Sequence, residues 1–223
     1  MGDKSLRKDY RYNMKAIYEK KSRGYKVVKR AFDIVSSGLA LIILSPVFLC
    51  TAIAIKLEDG GPVFFHADRF GKDMSHFKMH KFRSMVVDPD GSKLKALMKA
   101  NEMDGHTFKI KDDPRITKVG KFIRKTSIDE LPQLWNIFVG EMSVVGPRPI
   151  ITFDMSSWDE YDMQRWIVQP GLTCIWQISG RADVTWSEWV EMDFDYIEKM
   201  SCWEDLKLIF GTIPAVLKGE GAY

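Results

Sequence analysis

Asp129 and Glu130 are adjacent carboxylates at the head of a predicted helix, and they are the residues of this chain best suited to chemistry. Pro132 lacks an N–H, which is harmless only in a first helical turn, so it predicts Asp129 as N-cap and Glu130 at N1. From the residues alone two readings stand. One is plain capping of a positive helix end. The other is a carboxylate nucleophile in a field that favours an incoming phosphate and lowers the carboxylate's basicity. Arg148 lies between Pro147 and Pro149. That stiff segment is either a surface turn or a guanidinium clamp for phosphate or a planar polar ring. Other lysines and arginines near Gly and Pro turns can neutralise charge that moves between oxygens, and a divalent ion can screen an anionic nucleophile from a diphosphate. These parts suit transfer of a phosphoryl group that carries something else. Whether they converge is a question of folding.

The elements around them are predicted from pattern. Ile116, Val119, Phe122 and Ile123 share one helix face, with Lys118, Lys121, Arg124 and Lys125 as a basic one. A second helix runs from the acidic pair through Leu134, Ile137 and Phe138 to a stop at Gly140. Upstream, 63–66 and 77–85 read as strands of a small hairpin, with Arg69, Phe70 and Gly71 at its tip. A helix is expected over 92–102, turns at 170–173 and 179–181, and helical pattern over 186–209.

Residues 34–55 carry no charge over 22 positions, the length of a membrane span. Ser45 and Pro46 sit in the middle, so the segment crosses as a bent helix or turns back as a re-entrant one. A buried core helix is the plain alternative. Lys29 and Arg30 before the segment and Lys56 after it read as flanks facing lipid headgroups. The 223-residue chain has a net charge of +3, but residues 1–30 hold eleven basic and three acidic side chains, which reads as an anionic-lipid-facing arm rather than a nucleic-acid-binding one. Three isolated cysteines exclude a disulfide framework and suit a reducing compartment. His76 and His80 are four apart, as on a helix face, but no HExxH or cysteine cluster supports a zinc site. Five of seven tryptophans lie between Trp158 and Trp189, which fits a headgroup-level surface, with core packing the alternative for each singly.

Several stretches carry a family resemblance: KRAFD (29–33), Ser45-Pro46, GGPVFF (60–65), KFRSM (81–85), DPRITKVGKFIRKTSIDELPQLWNIFVGEMSVVGPRP (113–149) and PGLTCIWQISGR (170–181). From about residue 27 onward the chain resembles the bacterial sugar transferases, the monotopic polyprenyl-phosphate phosphoglycosyl transferases. TIPAVLKGEGAY (212–223) resembles the exopolysaccharide branch. The resemblance implies an α+β fold, mostly helical, with a re-entrant membrane helix broken at Ser45-Pro46, amphipathic surface helices and a small β-hairpin. After the basic arm (1–26), which composition alone marks, the expected division is the membrane helix (27–58), a catalytic domain on the cytoplasmic face of the bacterial inner membrane (59–185) and a C-terminal helical segment (186–223). The resemblance implies Asp129 as nucleophile and Glu130 beside it as catalytic residue, both at a Mg²⁺ ion. Lys81, Arg83, Arg124, Arg148, Pro147 and Pro149 become substrate contacts. The implied reaction moves hexose 1-phosphate from a UDP-sugar, glucose or galactose, to undecaprenyl phosphate through an aspartyl phosphosugar, releases UMP and starts exopolysaccharide, capsule or O-antigen assembly. A homodimer is a further expectation; a nucleic-acid partner is not. Glu141 departs from the Asp common in the family, and the chain resembles the form without four preceding transmembrane helices. The rivals are a membrane adaptor without activity and another membrane-bound nucleotidyl or phosphatidyl transferase. The latter would need spaced aspartates of the CDP-alcohol type, which the chain lacks.

Overall fold

The computed structural model describes residues 13–88, 92, 113–150, 158–179 and 184–218. The expected helix over 92–102 lies outside these residues apart from Ser92, as does the 179–181 turn apart from Ser179. The fold is mostly helical, with a small antiparallel hairpin.

Helix α1 (Met14–Lys20) begins at Asn13, whose side chain accepts from the Ala16 N–H. It is no free arm, because Met14 is fully buried in the main apolar cluster. Helix α2 (Arg23–Ile43) is capped by Ser22. Leu44 leaves helical geometry, and α3 (Ser45–Asp59) restarts with proline in its first turn, where the missing N–H costs nothing. The two axes meet at 58°. No single described helix is long and apolar enough to cross a membrane, but the bent pair is when taken together. Ser45 Oγ donates to the Ile42 carbonyl at 2.8 Å, which covers one acceptor that the break frees.

Lys29 and Arg30 are not headgroup anchors. Lys29 Nζ donates to the Val145 carbonyl at 2.9 Å and to Asp205 at 3.1 Å. Arg30 donates to the Ile137 and Phe138 carbonyls, both at 2.7 Å. Its guanidinium thus caps the open C-terminus of a helix described below, where cations are favoured. The reason is periodicity: positions 29, 30, 33 and 37 share the face of α2 turned toward the protein, and Asp33 and Ser37 are buried there. Val35, Leu39, Ile42 and Ile43 project outward.

Strands β1 (Phe64–Phe70) and β2 (His76–Phe82) pair antiparallel, from Phe64 with Phe82 to Phe70 with His76. Arg69 and Phe70 are therefore strand residues, and the turn is made by Gly71 to Ser75. His76 and His80 lie on this strand, not on a helix; His80 meets His66 across the ladder, with Nδ1 atoms 2.7 Å apart. Helix α4 (Lys118–Lys125) is capped by Thr117, and Glu58 accepts from its Lys118 N–H at 2.7 Å. Ile123 is buried on it, but Phe122 is exposed, against its expected inward face. Helix α5 (Gln133–Val139) ends at Gly140, whose left-handed φ of 98° suits glycine, as predicted.

The 170–173 turn is in fact a strand. β3 (Ser143–Val145) and β4 (Gly171–Thr173) pair parallel, with Ser143 opposite Gly171. Strands of three residues have too little alternation to be read from sequence. Helices α6 (Glu160–Met163) and α7 (Ile175–Ile178) are single turns. The helical stretch after Thr185 is two helices, α8 (Trp186–Lys199) and α9 (Cys202–Lys218), parted at Met200. Trp158, Trp166, Trp176 and Trp189 form a buried cluster with Ile150 and Cys174, so they are core rather than headgroup residues. Trp135 and Trp203 are the exposed ones, at 51% and 67%.

Candidate active site

The acidic pair sits in a short 3-10 turn, Ile128–Glu130, between α4 and α5. Asp129 is not the N-cap of α5: Pro132 takes that position, and neither makes a side-chain cap. Ser127 adopts φ 56°, ψ 17°, a left-handed conformation uncommon outside glycine. That kink ends α4 and turns the next residues toward β2. The two carboxylates then diverge in environment.

Glu130 is held. Its Oε1 accepts from Lys81 Nζ at 2.8 Å and from Arg148 Nη2 at 2.9 Å. Burial alone would raise its carboxyl, but Arg148 and Lys81 outweigh that and keep it well below the usual carboxylate range. Asp129 is free. It is buried, at 8% exposure, and makes no hydrogen bond among the described residues. Burial pushes its carboxyl up to about 6, with Lys81 and then Arg124 and Arg148 pulling down and Glu130 pushing up. This corrects the expectation of lowered basicity. The expected helix field is absent because the pair stands in a separate turn, and desolvation dominates.

Each basic partner is positioned by a different element. Lys81 comes from β2, and Asn136 on α5 fixes that strand. Its Oδ1 accepts the His80 N–H at 3.0 Å, and its Nδ2 donates to the Lys78 carbonyl at 2.8 Å and to Glu141 at 2.6 Å. Asn136 is fully buried, so this clamp works in a dry setting where each bond counts. Glu141 serves as its acceptor, which accounts for that position. Arg148 follows β3. Its Nη1 donates to Gln177 Oε1 on α7 at 2.8 Å, its guanidinium lies over the Trp176 ring at 5.5 Å, and its carbonyl accepts from Arg165 at 3.0 Å. Arg165 is in turn paired with Asp193 of α8 at 2.5 Å, with both side chains buried. Behind Arg148 stands a stack, Trp176 on Trp189 at 4.3 Å, which fixes its plane. Gly171 supports the same strand pair: a Cβ there would meet the Gly146 nitrogen at 2.0 Å.

Lys81 and Arg148 thus hold Glu130 directly, and the charge of Arg124 also acts on Asp129. Arg83 does not join them. Its guanidinium is paired with Asp59, donates to the Pro62 carbonyl at 2.6 Å and reaches the Met85 carbonyl at 3.2 Å, so it ties the end of α3 to the hairpin. Pro147 and Pro149 frame Arg148 in the chain; the Pro147 carbonyl accepts the Gly171 N–H at 2.8 Å. Gln177, Trp176 and Asn136 were not singled out from sequence. The available signal was a polar side chain inside an apolar run, as in CIWQI and LWNIF. No group of three or more His, Cys, Asp or Glu gathers among the described residues.

The sequence profile described as "Bacterial sugar transferase" matches residues 24–219. The chain is 42% identical over 201 residues to the exopolysaccharide production protein ExoY of Rhizobium meliloti, covering 88% of each. It is 44% identical over 197 residues to the galactosyl transferase CpsE of Streptococcus agalactiae, covering 88% of this chain and 43% of that protein. It is 39% identical over 206 residues to the UDP-glucose:undecaprenyl-phosphate glucose-1-phosphate transferase of Escherichia coli K12, covering 89% and 42%. The chain thus spans less than half the length of several relatives and most of ExoY's.

Proposed function

The chain belongs to the bacterial sugar transferase family, and from that premise we propose that it moves a sugar 1-phosphate from a nucleoside diphosphate sugar to polyprenyl phosphate. The observation that carries this is the asymmetry of the acidic pair: Glu130 is tied to two cations while Asp129 is left without a hydrogen bond. An ionised carboxylate with free lone pairs, beside cations able to take up charge from a phosphate, is set for nucleophilic phosphoryl chemistry.

In the first step an Asp129 carboxylate oxygen bonds to the sugar-linked phosphorus, and the bond from that phosphorus to the bridging diphosphate oxygen breaks. The nucleoside monophosphate leaves with that oxygen. In the second step a phosphate oxygen of the lipid bonds to the same phosphorus, the acyl phosphate bond breaks and the Asp129 carboxylate returns. Arg148 and Lys81 orient Glu130 and bring positive charge to the reacting phosphate, and Arg124 adds a third cation. Asp129 and the free Oε2 of Glu130 are hard oxygen donors that fit Mg²⁺, which commonly binds one or two carboxylates together with substrate phosphates. When bound, that ion screens the repulsion between the carboxylate and the diphosphate.

The donor we favour is UDP-glucose or UDP-galactose and the acceptor undecaprenyl phosphate, by likeness to relatives whose names state such activities. The product then starts an exopolysaccharide repeat. The outward apolar residues of α2 and α3, and exposed Trp135, Phe138 and Val139 on α5, support a monotopic seat, and a soluble nucleotide-sugar donor calls for the acidic pair on the cytoplasmic side. The test is UMP release from a panel of UDP-sugars by detergent-solubilised protein with Mg²⁺ and undecaprenyl phosphate. We expect release from one sugar, sustained only with lipid and lost in Asp129→Ala. Equal release by that variant would remove Asp129 as nucleophile, and silence with every nucleotide sugar in native membranes would favour an adaptor.

A further inference from the structure

Arg69 is a buried cation that makes no ion pair among the described residues. It lies on β1 two residues after Ala67, on the inner face of the strand, and is buried. Its Nη1 donates to the Asp68 carbonyl at 2.7 Å, while its Nε is buried with no hydrogen bond among the described residues. The Asp68 carboxylate attracts it but belongs to an exposed residue of the opposite strand face, and makes no ion pair with it. A buried guanidinium without a bound anion is unfavourable, because its charge is taken out of water with nothing to balance it.

The end of β1 packs against the elements that carry Arg148. Phe70 lies 5.8 Å from Trp166, and the adjoining Arg165 donates to the Arg148 carbonyl. The guanidinium groups of Arg69 and Arg148 are close enough to repel; burial first, and that repulsion second, lower Arg69 to about 10. Arg69 thus stands beside Arg148, which with Lys81 holds Glu130, while Arg124 and Lys81 act on Asp129. Even with the Asp68 carboxylate counted, the positive charges around Arg69 and Arg148 outnumber the negative ones, and a bound phosphate group can supply the missing negative charge.

We propose that Arg69 is an anion-binding residue of this site, whose guanidinium and that of Arg148 together cradle the phosphate groups of a ligand. The proposal rests on reading the site as one that handles phosphate esters. The phosphate can belong to a soluble nucleotide or to a lipid, and the experiment separates them.

The 223-residue protein in detergent is titrated calorimetrically with inorganic pyrophosphate, with UDP and with undecaprenyl phosphate in micelles, for the parent, Arg69→Gln and Arg69→Lys. Arg69→Gln should bind pyrophosphate about 10- to 100-fold more weakly, as expected for lost charge-assisted hydrogen bonds. Arg69→Lys should fall between, because it keeps the charge and loses the fork. A second readout separates ligand binding from a structural role: without ligand, Arg69→Gln should melt no lower than the parent, since it removes an uncompensated charge. Weakened UDP with unchanged lipid assigns the cradle to the donor, and the reverse assigns it to the acceptor. Unchanged pyrophosphate affinity overturns the proposal, as does a parent that binds none of the three; if Arg69→Gln does not fold, Arg69→Lys is held to the same criterion. UMP release by the parent is scored separately. Release intact with unaltered binding in the variant sinks this proposal alone, while weakened pyrophosphate binding with no release sinks the assigned reaction alone.

Discussion

Replacing Asp129 by asparagine should abolish turnover and stabilise the fold. Burial moves this carboxyl from 3.8 to about 6. At 1.36 kcal/mol per unit, keeping it ionised in the folded chain costs about 3 kcal/mol above pH 6. The folded state holds the proton more tightly than the unfolded one. The carboxyl's contribution to stability is therefore full below pH 3.8 and is lost as pH rises through about 6. Asp129→Asn keeps the shape and never ionises, so at pH 7.5 it should exceed the parent by up to about 3 kcal/mol, or several degrees of melting temperature. Near pH 3.5 the two should melt alike. The assay is thermal unfolding in detergent followed by tryptophan fluorescence at both pH values, with UMP release measured on the same samples. A variant less stable than the parent at pH 7.5 would refute the reasoning, because it would mean that the Asp129 charge has a matched partner in the fold.

The same elevation predicts that UMP release, measured before lipid turnover, falls about tenfold from pH 7 to pH 5, whereas a carboxyl at its ordinary value would stay over nine-tenths ionised at pH 5. Gln177→Met removes one hydrogen bond to a charged group and should raise the donor KM about 10-fold with a smaller change in kcat, as steady-state kinetics would register. Arg83→Met leaves the Pro62 carbonyl without its donor and unties the end of α3 from the hairpin; it should lower the melting temperature and leave the donor KM of the surviving folded enzyme unchanged. Trp135→Glu together with Phe138→Glu should weaken partition into liposomes, read by flotation, without changing the melting temperature by more than a degree or two, since both side chains are already exposed.

What was legible in the sequence follows the range of the forces involved. The Ser45-Pro46 break, the Gly140 stop and the hairpin are local: a missing N–H, a left-handed φ and strand alternation act within a few residues. The β3–β4 pair was missed, and 170–173 read as a turn, because its ladder joins residues 28 apart and each strand is too short to show a period. Lys29 and Arg30 were read as membrane flanks because charge before an apolar run has that meaning on average. Here the partners, Val145, Asp205, Ile137 and Phe138, come from more than 100 residues away.

The sequence by itself determined which side chains were available for the chemistry: two carboxylates in series, an arginine between prolines, and lysines and arginines in recognisable runs. Only the tertiary structure decided which carboxylate is held and which is free. Lys81 and Arg148 arrive from different elements and share one oxygen of Glu130, and burial without a hydrogen bond then sets Asp129 apart. Tertiary contact likewise separated Arg83, saturated by Asp59, from Arg148, braced by Gln177 and Trp176. Desolvation and ion pairing depend on atoms within a few ångströms, and those neighbours are set by packing rather than by position along the chain.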